Sequence, residues 1–165
     1  LLKHAGIMVE IVDNNRQLDR YDRAIIAILA REGRIPVTEL SVRVGLSKTP
    51  CQIRLKRLQE DEIILGFQAV INPAKMDLEQ VAFVEVKLSD TTEPALSAFN
   101  AAVRKVPEVE QCHMIAGAFD YLIKIRTSNM RTFREVLGKT ISSLPNVAST
   151  STHVSMQSVK DSETF

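Results

Sequence analysis

The residues best able to do chemistry in this 165-residue chain gather in two stretches. The first, Leu40 to Gln59 (LSVRVGLSKTPCQIRLKRLQ), holds five bases, Arg43, Lys48, Arg54, Lys56 and Arg57, and no acid. Alone, such a run describes a solvated helix face. Thr49, Gln52 and Ile53 among those bases give it a second meaning. A glutamine can exchange two hydrogen bonds with an adenine edge, and Lys or Arg can pair with guanine. The second stretch is Gly117-Ala118-Phe119-Asp120. Its backbone N–H groups can meet a carboxylate and Asp120 an ammonium, which suits a zwitterion drawn out of water. A bare hairpin turn accounts for those four residues equally well.

Around the second stretch, Met114 and Val154 can supply a small apolar wall, and Ser149, Thr150, Thr152 and His153 hydroxyl or imidazole contacts; a subunit interface would use the same side chains. His113, Asp120 and His153 are the residues an enzyme would need, but no Ser-His-Asp arrangement, HExxH or Gly-rich phosphate loop accompanies them. No catalytic residue, metal ligand or cofactor is therefore assigned. Cys51 and Cys112, 61 positions apart, make neither a disulfide framework nor a CxxC clip and read as structural.

Composition narrows the classes further. Apolar residues at 45% and charged residues at 25% describe a soluble globular protein. No run reaches the roughly 18 apolar residues of a membrane span, so no membrane partner is expected. The opening LLKHAGIMVEIVDNNR lacks signal-peptide features; a reducing cytoplasm is expected, with Met8 a candidate native start. The net charge of +1 hides an uneven distribution, eleven bases against nine acids up to Val70 and ten against eleven after it.

The elements that must position these residues follow from hydrophobic period. Residues 1–17 lack one and read as a flexible arm. Leu18, Tyr21, Ile25, Ile28 and Leu29 mark a first helix capped by Asp19, with Asp22 in its first turn. Pro36 opens a second, with Val37, Leu40 and Val44 inward and Gly45 as its left-handed stop. Ser47 caps a third, Lys48 to about Asp61. Two helices joined by Gly45-Leu46-Ser47 form a helix-turn-helix. Turning the third at 100° per residue puts Cys51, Leu55 and Leu58 on one side. Thr49, Ile53 and Lys56 lie opposite, flanked by Gln52 and Arg57, with Ser47 and Lys48 at the helix start. Those residues are expected at DNA, with Arg43, Arg54 and Arg57 clamping phosphates.

Residues 63–79 read as a strand over Ile63–Ile71 and a short linker. Beyond them, strands over 81–88, 109–115, 121–126 and 147–156 alternate with helices over 93–106 and 130–144. This βαββαβ order is the ferredoxin-like split motif, spanning residues 80–160. Its expected central strands, VEQCHMI and YLIKIR, lack the aromatic pattern of RNA-binding sheets. Helices cover only one sheet face, so a second copy is expected on the other. The fold class is thus α+β, a helix-turn-helix domain over 18–62 followed by a ferredoxin-like domain. A small dimeric enzyme or a metabolite-binding module without DNA function remains the alternative.

The stretches LDRYDRAIIAILAREGRI, TELSVRVGLSKTPCQIRLKRLQEDEIILGF and CHMIAGAFDYLIKIR resemble the Lrp/AsnC family of feast/famine transcriptional regulators, from about Leu18 to Val159. The resemblance implies a winged helix-turn-helix that binds double-stranded DNA and a strand linker. It also implies an effector-binding domain that dimerises and stacks four dimers into octamers. It places the helix-turn-helix over Glu39–Leu58 and makes GAFDY the effector loop. An amino-acid effector that controls amino-acid catabolism follows. FVEVKLSDT, HMIAGAFDYL and VASTSTHVSMQ are most similar to the proline-responsive members that activate proline dehydrogenase, which implies proline. Lys48 stands where leucine-responsive members carry Pro, implying altered DNA contacts rather than lost binding.

Overall fold

The computed structural model describes residues 18–159; the arm expected over 1–17 lies outside them. The described residues divide into two compact units between Ala69 and Val70.

The first unit is three helices, α1 (Arg20–Leu29), α2 (Val37–Val44) and α3 (Lys48–Glu60). The Asp19 carboxylate accepts the backbone N–H groups of Tyr21 and Asp22, and Asp22 returns the bond to the Asp19 N–H at 3.2 Å. This reciprocal box satisfies donors that a helix start otherwise leaves open. α2 stops at Gly45, whose φ of 73° favours glycine. The Leu46 N–H then reaches back to the Ser41 carbonyl at 2.9 Å. Ile25, Leu29, Leu40, Val44, Cys51 and Leu58 form the core, with Leu55 packed partly against it. Fully burying one such aliphatic side chain contributes about 1.5–3 kcal/mol.

The strand expected over Ile63–Ile71 is absent, and no strand follows α3 within this unit. Ile64 packs on the helical core and Phe67 lies over Gly33. Leu65 is 89% exposed, and Val70 and Ile71 also face solvent. The strand formers are there, but a strand needs a neighbour to take its backbone hydrogen bonds, and none lies alongside among the described residues.

The second unit runs β1 (Gln80–Leu88), α4 (Glu93–Val103), β2 (Val109–Met114), β3 (Tyr121–Thr127), α5 (Met130–Lys139) and β4 (Val147–Val154). The sheet order is β2-β3-β1-β4, with every neighbouring pair antiparallel. This corrects the expected centre, because β1 and β3 are central and β2 is an edge. The strand that returns after α4 is carried past β1 to leave room for β3. Period two sends Ala82, Val84, Val86 and Leu88 with Tyr121, Ile123 and Ile125 into a core that Phe99, Val103, Phe133 and Val136 close. Phe83, Glu85 and Lys87 therefore project from the opposite face. α5 ends five residues before the expected Leu144, and a short 3₁₀ turn over Ile141–Ser143 keeps Ile141 buried.

Candidate functional site

α3 presents Thr49, Gln52, Ile53 and Lys56 to solvent, Ile53 at 64% exposure, while Cys51 and Leu58 are fully buried. An isoleucine so placed on a polar helix face gains nothing from the core and is positioned for a thymine methyl or a sugar. Ser47 occupies the N-cap position but its hydroxyl makes no capping bond, contrary to expectation. With no acid in the first turn either, the N-terminus of α3 keeps free N–H donors beside Lys48 and suits a phosphate.

The bases behind this face are not all free. Asp22, its side chain only 3% exposed, receives Arg54 Nη1 at 2.9 Å and Arg57 Nη2 at 2.7 Å. Arg54 also reaches Asp19 at 2.7 Å. Helical spacing turns residues 54 and 57 back toward α1, and a buried carboxylate must be paired. Arg54, expected as a phosphate clamp, here acts as an internal lock between α1 and α3. Arg57 commits one nitrogen to Asp22 and keeps its remaining donors at a partly open surface. The N–H of Asp22, then the Arg54 guanidinium, holds the Asp19 carboxyl below its ordinary value. Arg43 lies between Glu32 and Glu39 at 2.7 and 2.5 Å. Such exposed pairs contribute little and exchange readily for a phosphate.

In the second unit, the turn 117–120 is fastened to β1. The Asp120 N–H donates to the Val86 carbonyl, and Asp120 Oδ2 accepts the Leu88 N–H at 2.7 Å. Oδ1 faces Lys87 Nζ at 3.2 Å. The Leu88 N–H, with Lys87 second, holds the Asp120 carboxyl below its usual range. Pairing between β1 and β4 slips between Lys87 and Leu88, so Asp120 caps a bulge.

Beside this turn lies a cleft of about 220 Å³ lined by Glu85, Lys87, Ala118, Phe119 and Ser149–Ser151. It offers one acid, one base, hydroxyls and an aromatic wall, the set a small zwitterion needs. Ala118 and Phe119 line it, Ser149 and Thr150 join them, and Gly117 and Asp120 frame the turn behind. The remaining expected residues lie outside the lining of this cleft. Met114 lines a different cleft, toward α4. Thr152 pairs opposite Val84 and so takes the helix side, and Val154 sits opposite Ala82 at the far end of β1. His153 reaches the site only through Glu85, Nε2 to Oε1 at 3.1 Å. Glu85, Lys87 and Ser151 were missed, although the alternation of VEVKL places Glu85 and Lys87 together on the non-core face. Among the described residues no cluster of His, Cys, Asp or Glu could hold a metal ion. No described helix is long and apolar enough to cross a membrane.

Comparison with known proteins brings both regions under one description. Residues 81–165 match the Lrp/AsnC ligand binding domain, and residues 18–64 a winged helix-turn-helix DNA-binding domain. The chain is 62% identical over 144 residues to the proline dehydrogenase transcriptional activator of Rhizobium radiobacter, covering 87% of this chain and 92% of that protein. It is 44% identical over 147 residues to the leucine-responsive regulatory protein of Escherichia coli K12, covering 89% and 90%. The crystal structure of a Neisseria meningitidis transcriptional regulator in complex with L-methionine superposes with a TM-score of 0.83 at 32% identity. That likeness covers 90% of this chain and 96% of that one.

Proposed function

The chain belongs to the Lrp/AsnC family of DNA-binding, amino-acid-responsive transcriptional regulators, and from that premise we propose that its effector is proline and its target the gene for proline dehydrogenase. The observation that carries this is the 62% identity to an activator so named, running through both units. In this reading residues 18–62 bind DNA, residues 63–79 link, and residues 80–160 take the effector. The protein works in the cytoplasm beside its operator and performs no catalytic step.

At DNA, Thr49, Gln52, Ile53 and Lys56 enter the major groove, while Ser47, Lys48, Arg43 and the free edge of Arg57 hold phosphates. In the 220 Å³ cleft, Lys87 turns from Asp120 to the proline carboxylate and Glu85 takes the secondary ammonium. Phe119 and Ala118 cover the ring, in place of the wall expected from Met114 and Val154. Asp120 keeps the Leu88 N–H and acts by setting where Lys87 starts.

A dimer is the working unit. The sheet face opposite the helices carries Phe83, Leu122, His113 and His153, with no helix over it among the described residues, and the unpaired strand formers of residues 63–71 need a neighbouring strand. Both are supplied by a second copy, whose twofold axis matches a palindromic operator. Effector binding regulates only through different affinities for two arrangements of such dimers.

Calorimetry and a DNA-shift assay across the common amino acids test the effector. Proline is expected to bind and to change the shift, and Lys87→Met to abolish its binding while leaving operator affinity of the unliganded protein unchanged. Leucine or methionine binding where proline does not would overturn the choice of proline.

A further inference from the structure

A second cleft, of about 330 Å³, opens between the C-terminal half of α4 and the edge strand β2. It shares no lining residue with the cleft proposed for proline, although Met114 and Tyr121, at the two ends of the turn, reach it. Its lining divides by chemistry. Val103, Val109 and Cys112 form an apolar floor; Asn100, Arg104 and Tyr121 stand around it.

The informative atom is the Tyr121 hydroxyl. Tyr121 is 2% exposed, its ring tilted against Phe99 with centroids 4.4 Å apart, and its hydroxyl has no hydrogen-bond partner among the described residues. Asn100 is a polar neighbour that offsets part of the rise burial imposes on the phenol's pKa, without reaching hydrogen-bond geometry. Leaving a buried hydroxyl unpaired is unfavourable, and phenylalanine would fill the same space without that cost. The Arg104 guanidinium, at the C-cap of α4, makes no ion pair among the described residues. The one acid on the rim, Glu110, is engaged by Lys124 and Arg126 across the sheet. The cleft therefore presents a phenol O–H and a guanidinium, with its one carboxylate already engaged and only the neutral amides of Asn100 and Gln111 as further polar groups.

We infer that this cleft is a second small-molecule site, distinct from the amino-acid cleft, and that it takes a small carboxylate with a short apolar body. The carboxylate accepts from Tyr121 and Arg104, a charge-assisted pair. The apolar body lies on Val103, Val109 and Cys112. An ammonium beside Arg104 is disfavoured, so the site selects carboxylic acids over free amines.

The test uses the full chain with Tyr21→Phe. Because the sequence has two tyrosines and no tryptophan, Tyr121 is then its sole intrinsic fluorophore. Sodium isovalerate is the probe and isopentylamine its cationic counterpart. Isovalerate is expected to change Tyr121 fluorescence saturably and to slow alkylation of Cys112, with isopentylamine doing neither. Arg104→Met should weaken isovalerate about tenfold or more, and so should Tyr121→Phe read by Cys112 protection. Lys87→Met, in the other cleft, should leave isovalerate binding unchanged. Should Tyr121→Phe fail to fold, Arg104→Met, on the surface, decides by itself. No saturable response at high millimolar isovalerate, an equal response to the amine, or binding indifferent to Arg104 would each overturn the proposal.

Discussion

A single side chain on α3 can be asked what it reads. Gln52 is exposed on the outer face and, unlike Arg54 and Arg57, is not drawn into the ion pairs that face α1. Gln52→Ala should cost roughly 1–3 kcal/mol of operator affinity and relax preference at one base pair. Lys48→Ala should weaken all sequences alike and reduce the log–log salt slope by about one. Binding titrations on operator and scrambled duplexes at several salt concentrations separate the two, and unchanged values for both would remove α3 from the groove. Asp120 makes a prediction in pH. Its carboxyl is held below the ordinary 3.8 by the Leu88 N–H and Lys87. A depressed pKa means stability that is complete above the unfolded value and is lost as pH falls through the folded one. Urea midpoints should show the wild type ahead of Asp120→Asn at pH 6, with the gap closing below about pH 4. A gap that stays constant down to pH 2 would show that the charge contributes nothing.

Among elements, the helices were the more legible, and the reason is physical. A helix satisfies its own backbone, so Asp19, Gly45 and the Cys51-Leu55-Leu58 stripe act locally and are visible in one sequence. A strand depends on its neighbour. Residues 63–71 are rich in strand formers and have no partner among the described residues, and the position of β2 at the edge follows from how α4 crosses rather than from VEQCHM itself. The cleft proposed for the effector is half visible in the sequence for the same reason. Gly117–Asp120 is a local signal, whereas register decides that Ser149–Ser151 and not Thr152 or Val154 stand beside it. Asp22 was read as a first-turn acid, which it is. Its burial under Arg54 and Arg57 required knowing how α3 crosses α1. That crossing is testable. Asp22→Ala leaves two guanidinium groups facing an emptied site and should lower stability by about 2–4 kcal/mol, somewhat less than a wholly buried pair because Arg54 stays a quarter exposed. Chemical denaturation measures it, and operator affinity should fall in step as α3 loses its anchor. A neutral result would mean the lock is ornamental.

The whole molecule is expected to act as a twofold assembly built on the uncovered sheet face. Phe83 lies on that face, paired opposite His153 on one side and Lys124 on the other. Phe83→Glu places a charge where apolar contact is needed and should shift the sedimentation of the full chain to a smaller species, with weaker binding to a palindromic operator. A wild-type chain that sediments as a monomer at micromolar concentration would refute the assembly outright. The two hydrophobic cores carry a different consequence. The cluster around Ile25, Leu40 and Leu58 and the cluster around Val84, Phe99 and Ile123 share no residue, so heat has two separate structures to melt. Scanning calorimetry should resolve two endotherms rather than one. A ligand seated in the sheet domain at 100 times its dissociation constant adds about 2.7 kcal/mol to that domain alone. Proline should therefore move one peak upward and leave the other where it was, marking which half of the protein the metabolite touches before any operator is added.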